Sequence, residues 1–140
     1  MLLSIIYYLT GGGKRPGSIA FYLEPSHPDI LAFLEIRKNS GAEHERARDL
    51  FTAVYVSDLF MERVKAEENW SLFCPHECPG LSDVYGNEYR ALYRKYEQDG
   101  RARKVINART VWHAIVVSQI ETGSTHSKTQ ITCVAIVFAY

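Results

Sequence analysis

The sequence lacks the features that mark several classes of protein. Its 16 Lys and Arg residues are balanced by 16 Asp and Glu residues, and this zero formal charge argues against a nucleic-acid-binding protein held mainly by phosphate contacts. No apolar run reaches the roughly 20 residues that a membrane-spanning helix needs, and the apolar start, Met1–Leu9, has neither the basic segment nor the cleavage site of a secretory signal. The three cysteines are an odd number, which favours a reducing compartment over a disulfide framework. We therefore expect a cytoplasmic protein with no nucleic-acid or membrane partner.

The sequence does have enough apolar material for a hydrophobic core. Hydrophobic residues make up 46% of the 140 positions, which is too high a share for a disordered tail. Nine Tyr, six Phe and two Trp supply large side chains for packing. A chain of this length fits one domain, or part of a larger one.

Strand-like and helix-like segments alternate along the chain. Apolar runs typical of buried strands are Met1–Leu9, Ser18–Leu23, Leu50–Val56 and Trp70–Phe73, with Lys104–Asn107 as a brief extended piece. Helices are predicted from Asp29 as N-cap, after a cap at Ser57 or Asp58, over Asn87–Gln98 and over Arg109–Glu121. This alternation predicts an α/β layer or barrel.

The loop that precedes the second strand is rich in glycine. It consists of Gly11, Gly12, Gly13, Lys14, Arg15, Pro16 and Gly17. Glycines permit positive φ and let backbone N–H groups face an anion, while the two cations supply charge. The loop is neither a Walker A motif nor a dinucleotide fingerprint, and a strand follows it rather than a helix N-terminus. The local pattern leaves both a flexible solvated connection and an anion-binding loop open.

A possible metal site lies between Cys74 and Cys78. Their C-x₃-C spacing occurs among zinc ligands, and His76 or Glu77 could add a donor. A closed site needs four ligands, however, and no second Cys/His pair stands at a suitable spacing. We predict turn and core residues here and no metal ligand. No Ser/His/Asp arrangement stands out either, so no catalytic residue is predicted.

Ordered motifs then run from Gly11 to Gly123 without an obvious gap. They are GGGKRPG, LEP, RARDLF, DLFM-x-RV, WSL-x-CP-x-ECPGL and ETG. Together they closely resemble the large (α) subunit of class I ribonucleotide reductase. The resemblance implies an incomplete segment of that family's ten-stranded α/β barrel over residues 11–123, flanked by a divergent N-terminal segment, 1–10, and a divergent C-terminal tail, 124–140.

The resemblance also implies a chemistry. The family reduces ribonucleoside diphosphates to 2′-deoxyribonucleoside diphosphates for DNA synthesis, under control by ATP and deoxynucleoside triphosphate effectors. A metal and radical centre in a small-subunit partner generates a thiyl radical in the barrel, and thioredoxin or glutaredoxin supplies electrons. The large subunit also pairs with a second large subunit. None of these groups is expected to bind this chain directly as a cofactor.

In the family, the segment matching Gly11–Gly17 is a specificity loop between the effector site and the substrate base. The resemblance implies the same role here, with Arg15 reaching the substrate. Two departures are Thr10, where the family usually has Gln, and Ser26, where it usually has Trp. The family's Asn-Leu-Cys-x-Glu motif, which carries the thiyl radical, does not occur, and Cys133 does not match it. We therefore expect a partial large subunit that is inactive alone. The alternative is a non-catalytic nucleotide-binding or subunit-interaction module.

Overall fold

Strands and helices alternate through the part of the chain that the structure describes. The computed structural model describes residues 20–38, 41 and 51–122. In chain order the elements are β1 (Ala20–Leu23), α1 (Ile30–Glu35), β2 (Phe51–Val54), α2 (Asp58–Ala66), β3 (Asn69–Leu72), a 3₁₀ turn (Leu81–Asp83), α3 (Gly86–Gln98), β4 (Lys104–Asn107) and α4 (Ala108–Thr122). The predicted α/β class is confirmed. The predictions for Met1–Leu9, for the Gly11–Gly17 loop and for the tail 124–140 lie outside the described residues.

The described strands form one parallel pair and one antiparallel pair. β1 and β2 are parallel, with Ala20 opposite Phe51 and Leu23 opposite Val54. Two parallel strands need a crossover connection, and α1 lies within it. β3 and β4 are antiparallel, with α3 between them in the chain. Lys104–Asn107 is therefore a true ladder strand, as its extended pattern indicates.

A cluster of aromatic rings forms the centre of the core. Trp70 of β3 stacks on Tyr93 of α3 with ring centroids 4.5 Å apart, and Phe60 of α2 meets Trp70 edge-on at 4.9 Å. Phe73 meets the other side of this group, 5.0 Å from Tyr93. All four rings are buried. The Trp70 indole N–H also donates to the carbonyl of Pro25 at 3.0 Å, which ties β3 to the turn that follows β1.

The helix caps only partly follow the sequence pattern. Ser57 caps α2: its hydroxyl oxygen accepts the N–H of Phe60 at 3.4 Å. Asp29 stands at the N-cap position of α1, as predicted, and its carbonyl accepts the N–H of Phe33 at 2.9 Å, but its side chain makes no cap hydrogen bond. An N-cap residue usually has extended backbone, whereas Asp29 has φ −91° and ψ 14° and donates its own N–H to Nδ1 of His27. The turn before α1 thus already holds this residue in a near-helical conformation.

The two long helices bury the faces that their spacing indicates, with one exception. Tyr89, Tyr93 and Tyr96 of α3 are buried, and α3 ends before Gly100, whose φ is +67°. On α4, Val111 and Ile115 are buried but Ile120 is 76% exposed. Five residues advance a helix by about 140° beyond a full turn, which carries Ile120 away from Ile115. Among the described helices, none combines the length and apolar character that a membrane crossing requires.

Candidate functional site

β1 is the element into which the Gly11–Gly17 loop leads. The loop itself lies outside the described residues, but by chain connectivity it precedes the amino end of β1. β1 is held by its parallel ladder with β2, and the ladder continues with Tyr55 donating its N–H to the carbonyl of Leu23 at 2.9 Å. The segment that follows the loop is therefore a hydrogen-bonded strand.

A tight turn at the carboxyl end of β1 carries a half-buried acid. The Ser26 hydroxyl donates to Oε2 of Glu24 at 3.0 Å, and the N–H of His27 donates to the Glu24 carbonyl at 3.1 Å. Phe73 donates its N–H to the carbonyl of Ser26 at 2.8 Å. Burial raises the pKa of Glu24; the Ser26 hydrogen bond opposes that rise and the nearby charge of Asp83 adds to it. His27 is a turn residue, as its place between two prolines indicates.

A cavity of about 520 Å³ opens beside this turn. Glu24, Ser26 and His27 line one side, and Tyr55, just after β2, lines another. The carboxyl ends of parallel strands meet at one edge of a sheet, so side chains from the ends of both β1 and β2 line the cavity. The loop after β3 contributes mainly apolar residues to the lining, among them Phe73. Sequence reasoning missed this cavity, because its walls come from segments far apart in the chain.

An ion pair between α2 and α3 was also missed by sequence reasoning. Arg63 donates two hydrogen bonds to the two carboxylate oxygens of Glu97, each at 2.6 Å. The Ser71 hydroxyl donates to the same carboxylate at 2.8 Å. The Arg63 guanidinium carbon also lies 5.0 Å from the ring centroid of Tyr93. The two partners are 34 residues apart, so no local spacing could have revealed the pair.

This ion pair sets the protonation of the groups around it. Burial alone would raise the pKa of Glu97, but hydrogen bonds from Arg63 and Ser71 outweigh that effect and leave the pKa lowered. The hydrogen bond from Glu97 in turn raises the pKa of Arg63. The carboxylate and the guanidinium are thus both ionised over the whole physiological range, and their role here is to hold α2 and α3 together.

The buried phenols of α3 are structural donors and acceptors. The Tyr93 hydroxyl donates to the carbonyl of Ser71 and accepts the N–H of the same residue, both at 2.8 Å. Burial raises the pKa of Tyr93, and it raises the pKa of Tyr89 to about 12. Neither phenol loses its proton near neutral pH. The two hydrogen bonds of Tyr93 fix α3 against β3.

The Cys74–Cys78 segment forms a closed turn. The N–H groups of Glu77 and Cys78 donate to the carbonyl of Cys74 at 3.0 and 2.9 Å. Arg103 donates hydrogen bonds to both carboxylate oxygens of Glu77, at 2.9 and 3.2 Å. These hydrogen bonds lower the pKa of Glu77. Cys78 is buried, as predicted for a core residue, and burial raises the pKa of its thiol. Within the described ranges, no group of three His, Cys, Asp or Glu side chains is placed to hold a metal ion.

Comparison with known proteins decides the family. Residues 2–129 match the family model described as the ribonucleotide reductase barrel domain. The chain belongs to this family. The resemblance drawn from the ordered motifs is therefore confirmed, and the alternation of strands and helices in the described residues fits the α/β architecture of that domain.

Relatives of this barrel-domain chain come from distant groups of organisms. It is 56% identical over 118 residues to the ribonucleoside-diphosphate reductase large chain of Neurospora crassa. It is 58% identical over 117 residues to the large subunit of Caenorhabditis elegans, and each match covers 84% of this chain. The large subunit of Arabidopsis thaliana is 53% identical over 127 residues, or 91% of this chain. The matched segments span only 13%, 15% and 16% of these relatives.

Proposed function

We propose that this chain forms one sector of the catalytic barrel of a ribonucleoside-diphosphate reductase large subunit. In that setting it takes part in the reduction of ribonucleoside diphosphates to deoxyribonucleoside diphosphates. The observation that carries this proposal is the identity of 53–58% to proteins named as that large subunit or chain, sustained over at least 84% of this chain. The alternative, a non-catalytic nucleotide-binding or subunit-interaction module, is not favoured by these relatives.

The proposed contribution of this sector is control of specificity through Gly11–Gly17. A triglycine segment adopts several backbone states at small steric cost, so a bound nucleoside triphosphate effector can select one of them. The loop leads into β1, which forms a parallel ladder with β2. Under this proposal Arg15 reaches the substrate, while Lys14 and Pro16 shape the loop. Effector and substrate then bias the same element from two sites.

We further propose that the radical chemistry belongs to parts of the enzyme other than the described cysteines. Burial raises the pKa of Cys78, whereas a reactive thiol needs a lowered pKa and access to solvent. The Cys74 carbonyl is engaged in the turn described above. The partners required are the radical-bearing small subunit, a second large subunit, and thioredoxin or glutaredoxin as reductant. This chain alone is then inactive, and its place is the cytoplasm.

The same proposal extends to the complete barrel. The β1–α1–β2 unit is a parallel crossover, which is the repeating unit of α/β barrels. We propose that these strands take their places among the ten strands of the family's barrel.

A chimeric enzyme tests the proposed function. The matching segment of the Caenorhabditis elegans large subunit is replaced by this chain, and reduction of ribonucleoside diphosphates is measured with the small subunit and reductant added. We expect the chimera to turn over and to respond to effectors. Arg15→Ala should change the ratio of activities among the four substrates, whereas Arg94→Ala, an exposed position on α3, should leave that ratio unchanged.

Two results would contradict the proposal. The first is a well-folded chimera with no turnover, and the second is turnover by this chain without any other large-subunit segment. Titration of the chain with deoxynucleoside triphosphates addresses the loop separately. Binding of these effectors supports the effector role, and because Arg15 is assigned to the substrate, Arg15→Ala should change effector binding less than substrate selection.

A further inference from the structure

The cavity at the carboxyl edge of β1 and β2 has the composition of a binding site for a specific class of ligand. It lies where two parallel strands end, which is the edge at which α/β proteins commonly bind small molecules. Its volume of about 520 Å³ falls within the range of small-molecule sites. Ligand binding in this cavity is independent of the proposed reductase function.

The wall of this cavity carries an acidic side chain, that of Glu24. Glu24 is held in place by the Ser26 hydroxyl, and Asp83 lies close enough for its charge to act on Glu24. None of the described residues that line the cavity is a lysine or an arginine. His27 also lines the cavity, and its Nδ1 accepts the N–H of Asp29 at 3.1 Å. The described part of the wall thus presents an acidic group with no lysine or arginine among its lining residues.

The rest of the wall is rich in aromatic rings. Tyr22, Tyr55, Phe73 and Tyr85 all line the cavity. Aromatic faces attract organic cations through their electron-rich π systems. They also pack against the apolar body of a ligand, as in most small-molecule sites. A cavity lined by a carboxylate and by such rings favours ligands that have both a positive charge and an apolar surface.

We propose that this cavity binds a small organic cation that consists of an ammonium group on an apolar or aromatic body. The ammonium group pairs with the Glu24 carboxylate, and the body lies against the aromatic wall. A neutral ligand of the same shape gains the packing and at most a hydrogen bond but no ion pair, and an anion is repelled by Glu24. The direction of the Glu24 pKa fits this arrangement: a carboxylate that burial makes costly to ionise gains most from a cationic partner.

Three isosteric probes test the proposal on the whole 140-residue chain. Isothermal titration at neutral pH compares 2-phenylethylamine, which is cationic, with neutral 2-phenylethanol and anionic phenylacetate. We expect the amine to bind about tenfold more tightly than the alcohol, because both can donate a hydrogen bond to the carboxylate but only the ammonium group forms an ion pair with it. Phenylacetate should bind most weakly. Equal affinity for amine and alcohol, tightest binding of phenylacetate, or no binding of the amine would overturn the proposal.

Two variants locate the binding. Glu24→Gln keeps the shape and an acceptor for the Ser26 hydroxyl, and it should weaken amine binding about tenfold and alcohol binding much less. Tyr85→Ala removes an aromatic side chain that is 80% exposed and so contributes little to folding; it should weaken both ligands. Glu121→Gln, on α4 and outside the cavity wall, is the matched control and should change nothing. Far-UV circular dichroism verifies folding of each variant. Unchanged amine affinity in a folded Glu24→Gln or Tyr85→Ala chain would refute the assignment of the site.

Discussion

The Arg63–Glu97 ion pair gives the sharpest prediction for stability. Glu97→Gln removes the negative charge but keeps the side-chain shape and one acceptor oxygen for the Arg63 and Ser71 hydrogen bonds. The second Arg63 nitrogen then faces an amide N–H₂ and loses its partner. Only 13% of the Arg63 side chain and 24% of the Glu97 side chain are exposed, so the stranded guanidinium is poorly solvated. Breaking a fully buried pair costs about 3 to 5 kcal/mol, and this partial exposure lowers our expectation to about 2 to 3 kcal/mol.

Urea unfolding measures this loss. Trp70 fluorescence reports on the same core, because the Arg63 guanidinium carbon lies 5.6 Å from the Trp70 ring centroid. The pH dependence has a definite sign. Since the folded pKa of Glu97 is lowered, its contribution is fully present above the ordinary glutamate pKa of about 4.3 and is lost as the pH falls through the folded value. The difference between the parent chain and Glu97→Gln should therefore shrink on acidification.

A second Arg–Glu pair supplies the control. Arg90 donates to Glu62 at 2.5 Å, but the Glu62 side chain is 53% exposed and the Arg90 side chain 33% exposed. Solvent screens such pairs, so Glu62→Gln should cost less than about 1 kcal/mol. A double-mutant cycle that adds Arg63→Met should show a coupling energy of about 1 kcal/mol or more. Equal small losses for Glu97→Gln and Glu62→Gln would refute the reasoning.

Three further changes test other parts of the fold. Tyr93→Phe leaves both backbone groups of Ser71 without their side-chain partner and should lower the free energy of unfolding by about 1 to 3 kcal/mol, measured by urea titration. Gly100→Ala meets no atom within 4 Å, so its cost of about 1 kcal/mol should come from the positive φ alone, and Gly100→Asn should recover part of it. Because the pKa of Tyr89 is raised to about 12, the unfolded chain loses its phenol proton first; stability should fall between about pH 10 and pH 12, less steeply in Tyr89→Phe.

The local elements of this chain could be predicted because their causes are local. Apolar runs bounded by Pro, Gly and charged residues become β1, β2 and β3, and the Ser57 hydroxyl caps α2 within three residues of its own position. Asp29 shows the limit of this reasoning: it has the residue type of an N-cap, but the turn before it determines its backbone. Residue type alone does not fix φ and ψ.

The candidate sites could not be predicted to the same degree because their causes are distant in sequence. The Arg63–Glu97 pair joins two helices, and the cavity brings the end of β1 against the loop after β3. Glu24 in an LEP turn and Ser26 beside it are ordinary turn residues until tertiary packing encloses them. The ordered motifs did reveal the family, because they are a property of the sequence itself. The roles of Gly11–Gly17 remain predictions.

Two exposed side chains of β1 indicate that this strand packs against further layers. Phe21 and Tyr22 are consecutive residues of a strand, so their side chains leave opposite faces of the ladder. Phe21 is 39% exposed and Tyr22 is 56% exposed. Parallel strands, however, are usually covered on both faces, because crossover connections place other layers there. Two large apolar side chains exposed on opposite faces of a parallel pair are therefore what we expect of strands that pack against further layers, and this supports their proposed place in the ten-stranded barrel. The same argument explains why the effector response must be sought in a chimera: a strand that transmits a change in the Gly11–Gly17 loop needs both of its faces packed before its position is fixed.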